Sequence, residues 1–154
     1  MNIVILGCAG AGKGTLSNQL KNEYGYHAFA PGELYRKEAI DGTEFGINAR
    51  DKYWGSGNLC PDEMTNDLIH RHVRNISTPN VLFDGYPRTA VQAKFLDVIV
   101  NIDLVLDLHI SDDVSVERLL RRSKTENRPD DTEEIIKQRL KVYHKNNSEI
   151  VNYY

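Results

Sequence analysis

Residues 3–15 run Ile3-Val4-Ile5-Leu6-Gly7-Cys8-Ala9-Gly10-Ala11-Gly12-Lys13-Gly14-Thr15. The first four side chains are continuously apolar, which is typical of a strand buried on both faces of a parallel sheet. The glycines that follow let the backbone turn tightly, so that successive N–H groups can point inward at an anion. A helix predicted from Gly12 would add the positive partial charge of its amino terminus. The stretch therefore predicts a phosphate-binding loop between a buried strand and a helix.

Two side chains of the loop indicate which phosphates it binds. Lys13 is placed to reach the β- and γ-phosphates of a nucleoside triphosphate, and the Thr15 hydroxyl to face its Mg²⁺ ion. The strict phosphate-loop pattern has Ser or Thr directly after the lysine, whereas here a glycine intervenes. We therefore predict an ATP site that includes the loop residues Gly10, Ala11, Gly12, Lys13, Gly14 and Thr15.

Outward from this loop, predicted strands and helices alternate along the chain. The strands are predicted at 3–6, 27–30, 81–83 and 104–110. The helices are predicted at 12–23, 32–40, 62–73, 90–99 and 113–120, with a long last helix from about 132. Asp131 and Glu134 form a capping-box pair for that last helix. The pattern predicts a single α/β domain over 1–154, with a parallel sheet of the P-loop NTPase type covered by helices on both faces.

Composition limits the classes of function. The 154 residues are 40% apolar and 27% charged, as in an ordinary globular domain, and the net charge of −3 argues against a broad nucleic-acid-binding face. No apolar run is long enough to cross a bilayer, and the start of the chain lacks the pattern of a signal peptide. Cys8 and Cys60 have no metal-ligand spacing. Free thiols favour a reducing compartment, so we expect a cytoplasmic protein.

Four further blocks carry a resemblance to a known family. They are Gly32-Glu33-Leu34-Tyr35-Arg36, Gly57-Asn58-Leu59-Cys60-Pro61, Asp84-Gly85-Tyr86-Pro87-Arg88-Thr89 with Gln92 beyond it, and Arg128-Pro129-Asp130-Asp131 followed by Arg139. Together with the loop, whose glycine after the lysine is typical of the same enzymes, they resemble the adenylate kinases in order and spacing from Asn2 onward. The resemblance implies Mg²⁺-dependent transfer of the γ-phosphoryl group of ATP to AMP, giving two ADP.

The resemblance also implies roles for individual residues. Arg36 and Arg88 would hold the α-phosphate of the acceptor, because a planar guanidinium binds phosphate oxygens through two parallel hydrogen bonds. The residues that would act on the reacting phosphates are Lys13, Arg88, Arg122, Arg128 and Arg139. The residues that would bind AMP are Pro31, Arg36, Asn58, Leu59, Cys60, Gly85, Tyr86, Pro87, Arg88, Gln92, Arg128 and Arg139.

Acidic residues near these arginines have more than one interpretation. Asp84 ends a predicted strand at the sheet edge where ligands bind, so we expect it to hold Mg²⁺ through water, with Thr15. Asp130 and Asp131 are predicted to cap the last helix and to orient neighbouring arginines. Three nearby cations are predicted to form a solvated basic face or surface ion pairs: Arg118, Arg121 and Lys124.

The base of the acceptor is indicated by one residue and questioned by another. The Gln92 amide can accept from the amino group of adenine and donate to a ring nitrogen, which favours AMP. Pro31 stands where the family usually has a threonine that contacts the acceptor, and proline supplies neither a hydroxyl nor an N–H. A pyrimidine monophosphate kinase, acting on UMP or CMP, is therefore the alternative.

Two segments are expected to move and one is expected to be absent. Residues about 30–60 would form a helical monophosphate-binding insertion, and about 122–130 a short lid without cysteines, so no structural zinc is expected.

The family usually continues past Tyr154 into a fifth strand and a final helix. Without them we expect weak contacts to the ATP adenine, with Arg122 stacking on it. The strand at 104–110 would also have an open edge that could allow self-association of the monomer expected from the family. A nucleotide-binding protein with little turnover is the further alternative.

Overall fold

The computed structural model describes residues 1–76, 80–126 and 131–154. Strands and helices alternate through these ranges, as the sequence predicts. The elements in chain order are β1 (Asn2–Gly7), α1 (Lys13–Tyr24), β2 (His27–Phe29), α2 (Pro31–Ile40), α3 (Glu44–Lys52), a 3₁₀ turn (Trp54–Ser56), α4 (Asp62–Val73), β3 (Val81–Asp84), α5 (Ala90–Ile99), β4 (Leu104–Leu108), α6 (Asp112–Glu126) and α7 (Glu133–Tyr153).

The four strands form one parallel sheet in the order β2-β3-β1-β4. β1 lies between β3 and β4, with Val4 opposite Phe83 on one side and Val105 on the other. Parallel strands end at the same edge of a sheet, so the loop after β1 and Asp84 at the end of β3 meet at the carboxyl edge. The predicted α/β architecture is confirmed.

Helices cover both faces of the sheet because successive side chains of β1 point to opposite sides. One face packs against α5 and α7 through a cluster that includes Val4, Leu6, Phe83, Leu96 and Ile150. The other face packs against α1 through Ile3, Ile5, Leu82, Leu16 and Leu20. This burial on both faces accounts for the continuous apolar run with which the sequence of β1 begins.

The helix α3 lies in a stretch that the sequence presents as a glycine-punctuated connection. Thr43 caps it, since its side chain accepts a hydrogen bond from Gly46 N at 3.0 Å. Gly46 is needed for a packing reason: a Cβ there would lie 2.2 Å from the backbone nitrogen of Ala39 in α2. The glycine lets α2 and α3 pack closely, so it is a contact residue and not a helix breaker.

Two expectations for the carboxyl-terminal third need correction. α6 was predicted to end at residue 120 but continues to Glu126, so it includes residues 122–126 of the predicted lid, while 127–130 lie outside the described residues. The cap of α7 is Thr132, whose side chain accepts from Ile135 N at 3.4 Å. Asp131 was predicted as the cap, but it is 97% buried, with a relative exposure of 3%, and engages arginines instead.

β4 lies at an edge of the sheet among the described residues and pairs only with β1 there. Its first residue, Leu104, is 41% exposed. Within the ranges described above, no helix has the length and apolar character needed to cross a membrane.

Candidate active site

A cleft of about 660 Å³ opens at the carboxyl edge of the sheet. The loop after β1 forms one wall, and the α2–α4 segment forms the other. The predicted site residues that line it are Gly10, Gly12, Lys13, Gly14, Thr15, Pro31, Arg36, Asn58, Leu59, Cys60, Asp84, Gly85, Tyr86, Pro87, Arg88, Gln92, Arg122 and Arg139. Ala11 belongs to the loop but does not line the cleft, and Arg128 lies outside the described residues.

The loop after β1 is held in shape by its own backbone and by α6. Ala11 N donates to Cys8 O at 3.2 Å, closing a tight turn. The Ser115 hydroxyl of α6 donates to Ala9 O at 2.7 Å and is fully buried. Lys13 Nζ donates to Gly7 O and Cys8 O, each at 2.7 Å. The ammonium group therefore lies inside the loop, where the predicted phosphates would be.

The environment of Lys13 disfavours its charge when no anion is present. Burial is the main cause and the nearby Arg88 guanidinium the second, and together they lower the pKa of Lys13 from 10.5 to about 8. The Asp84 carboxylate acts in the opposite direction but does not compensate. A bound polyphosphate would restore the charged form, because an opposite charge within hydrogen-bonding distance raises the pKa of an amine.

Proton uptake should therefore accompany polyphosphate binding above pH 8. Between the folded pKa of about 8 and the ordinary value of 10.5, free Lys13 is neutral and anion-bound Lys13 is charged. Titration calorimetry with ATP at pH 9, in buffers of different ionisation enthalpy, should show uptake that is absent at pH 6.5. The Lys13→Met variant should show none of this uptake at pH 9. Equal uptake in the variant would contradict the assignment to Lys13.

The same lysine also makes folding stability depend on pH, with a definite sign. Since the unfolded chain holds the proton at pH values where the folded chain has released it, the free energy of unfolding should rise between pH 8 and 10.5. Below pH 8 both states are protonated, and the destabilisation by the buried charge is then fully present.

Three arginines converge on the other wall. Arg88 Nε donates to Gly85 O at 2.7 Å, and burial followed by the charges of Arg139 and Arg36 lowers the pKa of Arg88. A Cβ on Gly32 would lie 3.6 Å from Arg36 Nη2 and 3.9 Å from Arg88 Nη2, so both guanidinium groups approach the amino terminus of α2. Like charges this close to one another favour binding of an anion between them.

Gly85 separates the two cationic groups and requires the absence of a side chain. Its φ is +67°, in the left-handed region that glycine tolerates. A Cβ there would lie 3.2 Å from Arg88 Nη2 and 3.7 Å from Lys13 Cε. The phosphate loop and the arginine cluster are thus adjacent across one small residue.

Asp131 holds two of the arginines from the outer side. Arg122 Nε and Nη2 donate to its carboxylate at 2.8 and 2.9 Å, and Arg139 Nη1 donates at 2.7 Å. The Asp131 side chain is 0% exposed. The predicted orientation of arginines by this residue is confirmed, whereas Asp130 lies outside the described residues. Arg122 is held by its ion pair with Asp131. The stacking of Arg122 on adenine stays a prediction.

Asp84 and Thr15 fit the predicted magnesium site by chemistry and position. The Ser17 hydroxyl donates to Asp84 Oδ2 at 3.0 Å, which fixes the carboxylate beside the first two turns of α1. A Cβ on Gly14 would lie 3.9 Å from the same oxygen, so carboxylate and loop are neighbours. Carboxylate and hydroxyl oxygens are ligands that Mg²⁺ accepts, together with phosphate and water. Among the described residues there is no cluster of three or more His, Cys, Asp or Glu suited to a metal ion.

Gln92 is buried at the floor of the acceptor wall, with 1% relative exposure. Its Oε1 accepts from Arg88 N at 2.8 Å, and its Nε2 donates to Asp62 Oδ1 at 2.8 Å. Thr89 donates to the same Asp62 oxygen at 2.9 Å. The amide is therefore fixed in one orientation by two hydrogen bonds.

Arg118 was predicted to lie on a solvated face, and its side chain is exposed in the structure, but it also contacts the phosphate loop. Its Nη1 donates to Gly10 O at 3.2 Å, and it lines the cleft together with Arg121. A sequence signal was available: Ser115, Arg118 and Arg122 are spaced i, i+3 and i+7, which places them on one face of a helix. Ser115 also touches the phosphate loop, so that face of α6 is the one directed at the site.

Comparisons with known proteins agree with this geometry. A model of the family described as adenylate kinase matches residues 5–154. The chain is 38% identical to an adenylate kinase of Bacteroides thetaiotaomicron over 160 residues, covering 100% of this chain and 84% of that one. It is 35% identical to one of Porphyromonas gingivalis, with 82% of that chain covered, and 36% identical to one of Mycobacterium tuberculosis, with 86% covered. The cleft, its phosphate loop and these similarities together place the chain in the adenylate kinase family, as a nucleoside monophosphate kinase.

Proposed function

We propose that this enzyme catalyses reversible, Mg²⁺-dependent transfer of the γ-phosphoryl group of ATP to AMP, giving two ADP. The observation that supports this most directly is the position of Lys13 beside Arg88, with only Gly85 between them. One group suits the end of a triphosphate, and the other suits an acceptor phosphate. ATP and AMP are both anions and repel each other in water. A cleft with two cationic walls can hold them side by side.

In the proposed reaction an oxygen of the AMP phosphate attacks the γ-phosphorus of ATP, and the bond from that phosphorus to the β-bridging oxygen breaks. The charge on the transferring group would be neutralised by Lys13, Arg88 and Arg139, and in the proposal also by Arg122 and Arg128. Mg²⁺, held by Asp84 and Thr15 partly through water, would supply further positive charge on the phosphate oxygens. The chain's own contribution is thus positioning and preorganised charge.

Closure of the segment about 30–60 over the acceptor is part of the proposal. Asn58 Oδ1 of this segment accepts from Gln138 Nε2 of α7 at 2.8 Å. A Cβ on Gly57 would lie 2.9 Å from Ile135 O, so the segment closely approaches α7. Such contacts across the cleft support a segment that excludes water from the acceptor when the site is filled. We propose that the short lid at about 122–130 closes over ATP.

AMP is the proposed acceptor because the Gln92 amide keeps one N–H group and one lone pair that are not used within the protein. A primary amide has two N–H groups and two lone pairs, and the bonds to Asp62 and Arg88 use one of each. One donor and one acceptor remain, which matches the ring nitrogen and amino group of adenine. Uracil presents the reverse pattern and would need the amide to flip, which would break both bonds. Cytosine shares the pattern of adenine, so CMP is the alternative acceptor, and Pro31, which offers the acceptor neither a hydroxyl nor an N–H, keeps this alternative open.

Replacing Gln92 by methionine should weaken AMP binding about tenfold, the worth of roughly one net hydrogen bond. The ATP affinity should stay within about twofold, because Gln92 lies on the acceptor wall. Calorimetric titration of the variant with each nucleotide measures both effects. Gln19, which is on the surface of α1, supplies the matched control Gln19→Met. Equal losses for AMP and ATP would argue against base recognition by Gln92.

The proposed activity is tested by incubating the protein with Mg·ATP and AMP and measuring nucleotides by ³¹P NMR. Two ADP should appear for each ATP consumed, and none in the Lys13→Met variant. Replacing AMP by CMP, UMP or dAMP in parallel assays reports the base preference. Binding of both nucleotides without ADP formation would favour a nucleotide-binding protein with little turnover. Failure of both nucleotides to bind would refute the proposal.

We further propose that ATP and AMP are small-molecule partners of a monomer in the cytoplasm. Cys8 and Cys60 are both free and buried, as expected for a reducing compartment. Sedimentation of the protein at several concentrations tests whether the edge of β4 promotes self-association.

A further inference from the structure

Two hydroxyl groups meet on the acceptor wall of the cleft. The Tyr35 hydroxyl of α2 lies 3.1 Å from Thr65 Oγ1 of α4, and both residues line the cleft. Their relative exposures are only 5% and 7%. A polar pair in an otherwise apolar cluster is costly unless its hydrogen bonds are satisfied, so the direction of each bond matters. We call Tyr35 and Thr65 the hydroxyl pair.

The directions follow from counting hydrogens. Thr65 Oγ1 donates to Pro61 O at 3.3 Å, which uses its one hydrogen. Thr65 can make both of its bonds only if Tyr35 donates the one between the two hydroxyls, so we assign Tyr35 as its donor and Thr65 as its acceptor. Burial raises the pKa of Tyr35, so this hydrogen is retained at neutral pH. The Tyr35 oxygen is left with lone pairs and no hydrogen, and can only accept from a ligand.

The hydroxyl pair and the Gln92 amide line the same cleft, and both are held by the first turn of α4. Asp62 and Thr65 are spaced i and i+3, so they are neighbours on one helix face. Asp62 holds Gln92, and Thr65 holds Tyr35. The acceptor wall therefore carries an oriented amide and an oriented acceptor oxygen, held by neighbouring positions of one helix face.

We propose that the Tyr35 hydroxyl, oriented by Thr65, accepts a hydrogen bond from the exocyclic amino group of the acceptor base and so selects amino-bearing bases over those with a carbonyl oxygen at that position. The inference rests on the proposed function, since it places the acceptor base against this wall. An amino group has two hydrogens, one for Gln92 and one for Tyr35. A carbonyl oxygen would face the lone pairs of Tyr35 with no hydrogen between them.

The first test removes only the hydroxyl, in Tyr35→Phe. The ring of Tyr35 stacks on Phe45 at 5.6 Å between centroids, and phenylalanine preserves this contact. Calorimetric Kd values are measured for AMP and for purine riboside 5′-monophosphate, which lacks the amino group. The variant should bind AMP about 3- to 10-fold more weakly and the analogue unchanged. Tyr24→Phe, at an exposed tyrosine, is the matched control and should change neither value.

The second test reverses the direction of the bond, in Thr65→Val. Valine has nearly the shape of threonine but cannot accept, so the Tyr35 hydrogen becomes free to point into the cleft. The variant should bind AMP more weakly and inosine 5′-monophosphate more tightly, with their affinity ratio shifting by about 10-fold or more. This variant also keeps the inference testable if Tyr35→Phe fails to fold.

The outcomes separate this inference from the proposed function. If Tyr35→Phe weakens AMP and the analogue equally, or Thr65→Val leaves the ratio of AMP to inosine monophosphate unchanged, the inference is overturned while AMP binding stands. If the unaltered protein binds ATP but no AMP, the proposed acceptor and this inference are both overturned. A selective loss in the first variant with a shifted ratio in the second supports the inference.

Discussion

Lys13→Met is expected to lower kcat for phosphoryl transfer by about 100- to 1,000-fold, the usual effect of removing one donor directed at developing charge. Methionine has nearly the length of lysine and no charge, so the change removes the ammonium that lies among the carbonyl groups of the phosphate loop. A water molecule that took the place of the ammonium group would carry no net charge. Initial rates of ADP formation at saturating Mg·ATP and AMP measure the effect.

The stability of this variant should change in the opposite sense from its activity. Burial lowers the pKa of Lys13, which means that the folded protein holds the charge at a cost. Methionine should therefore leave the free energy of unfolding unchanged or raise it, as measured by urea denaturation without nucleotide. A variant that keeps kcat within about threefold would show that Lys13 does not act on the transferring group. A variant that loses stability would show that the lysine is a structural residue of the loop.

Asp131→Asn is expected to cost about 3 kcal/mol of unfolding free energy and most of the activity. The carboxylate is 0% exposed, while Arg122 and Arg139 are 28% and 18% exposed. Removing one partner of a buried ion pair leaves charge uncompensated, at about 3–5 kcal/mol, and the partial exposure of both arginines favours the lower value. The asparagine amide also turns an N–H toward one guanidinium group. Urea denaturation and initial rates measure the two effects.

Glu133→Gln is the matched control for this variant. Glu133 pairs with Lys137 at 2.6 Å, but the side chains are 57% and 67% exposed. Removal of this exposed i,i+4 pair should leave both the free energy of unfolding and the rate nearly unchanged, because solvent screens the two charges. If Asp131→Asn behaved like this control, Asp131 would not hold the arginines in solution. Loss of activity with full stability would mean that it positions them without stabilising the fold.

Local patterns were enough to predict the sheet and the phosphate loop. The apolar run of β1, the glycines after it and Lys13 act over a few residues of contiguous chain, so their meaning does not depend on distant segments. The same holds for Asp84, whose place at the end of β3 puts it at the ligand-binding edge of any parallel sheet. The other sequence blocks resemble those of the family, and that resemblance indicated Arg36, Arg88 and Gln92 as residues that bind the acceptor.

Contacts between distant segments decided what the sequence alone left open or predicted wrongly. Gly46 belongs to a helix because the backbone of α2 lies against it, and Asp131 is a partner of two arginines because α6 and α7 bring them together. The acceptor character of Tyr35 likewise depends on Thr65, 30 residues away. By itself, the sequence determined the order of the strands along the chain, the loop and the charges available. Only the tertiary structure decided which side chains share hydrogens and charge, because those interactions act through space over a few ångströms, whatever the separation along the chain.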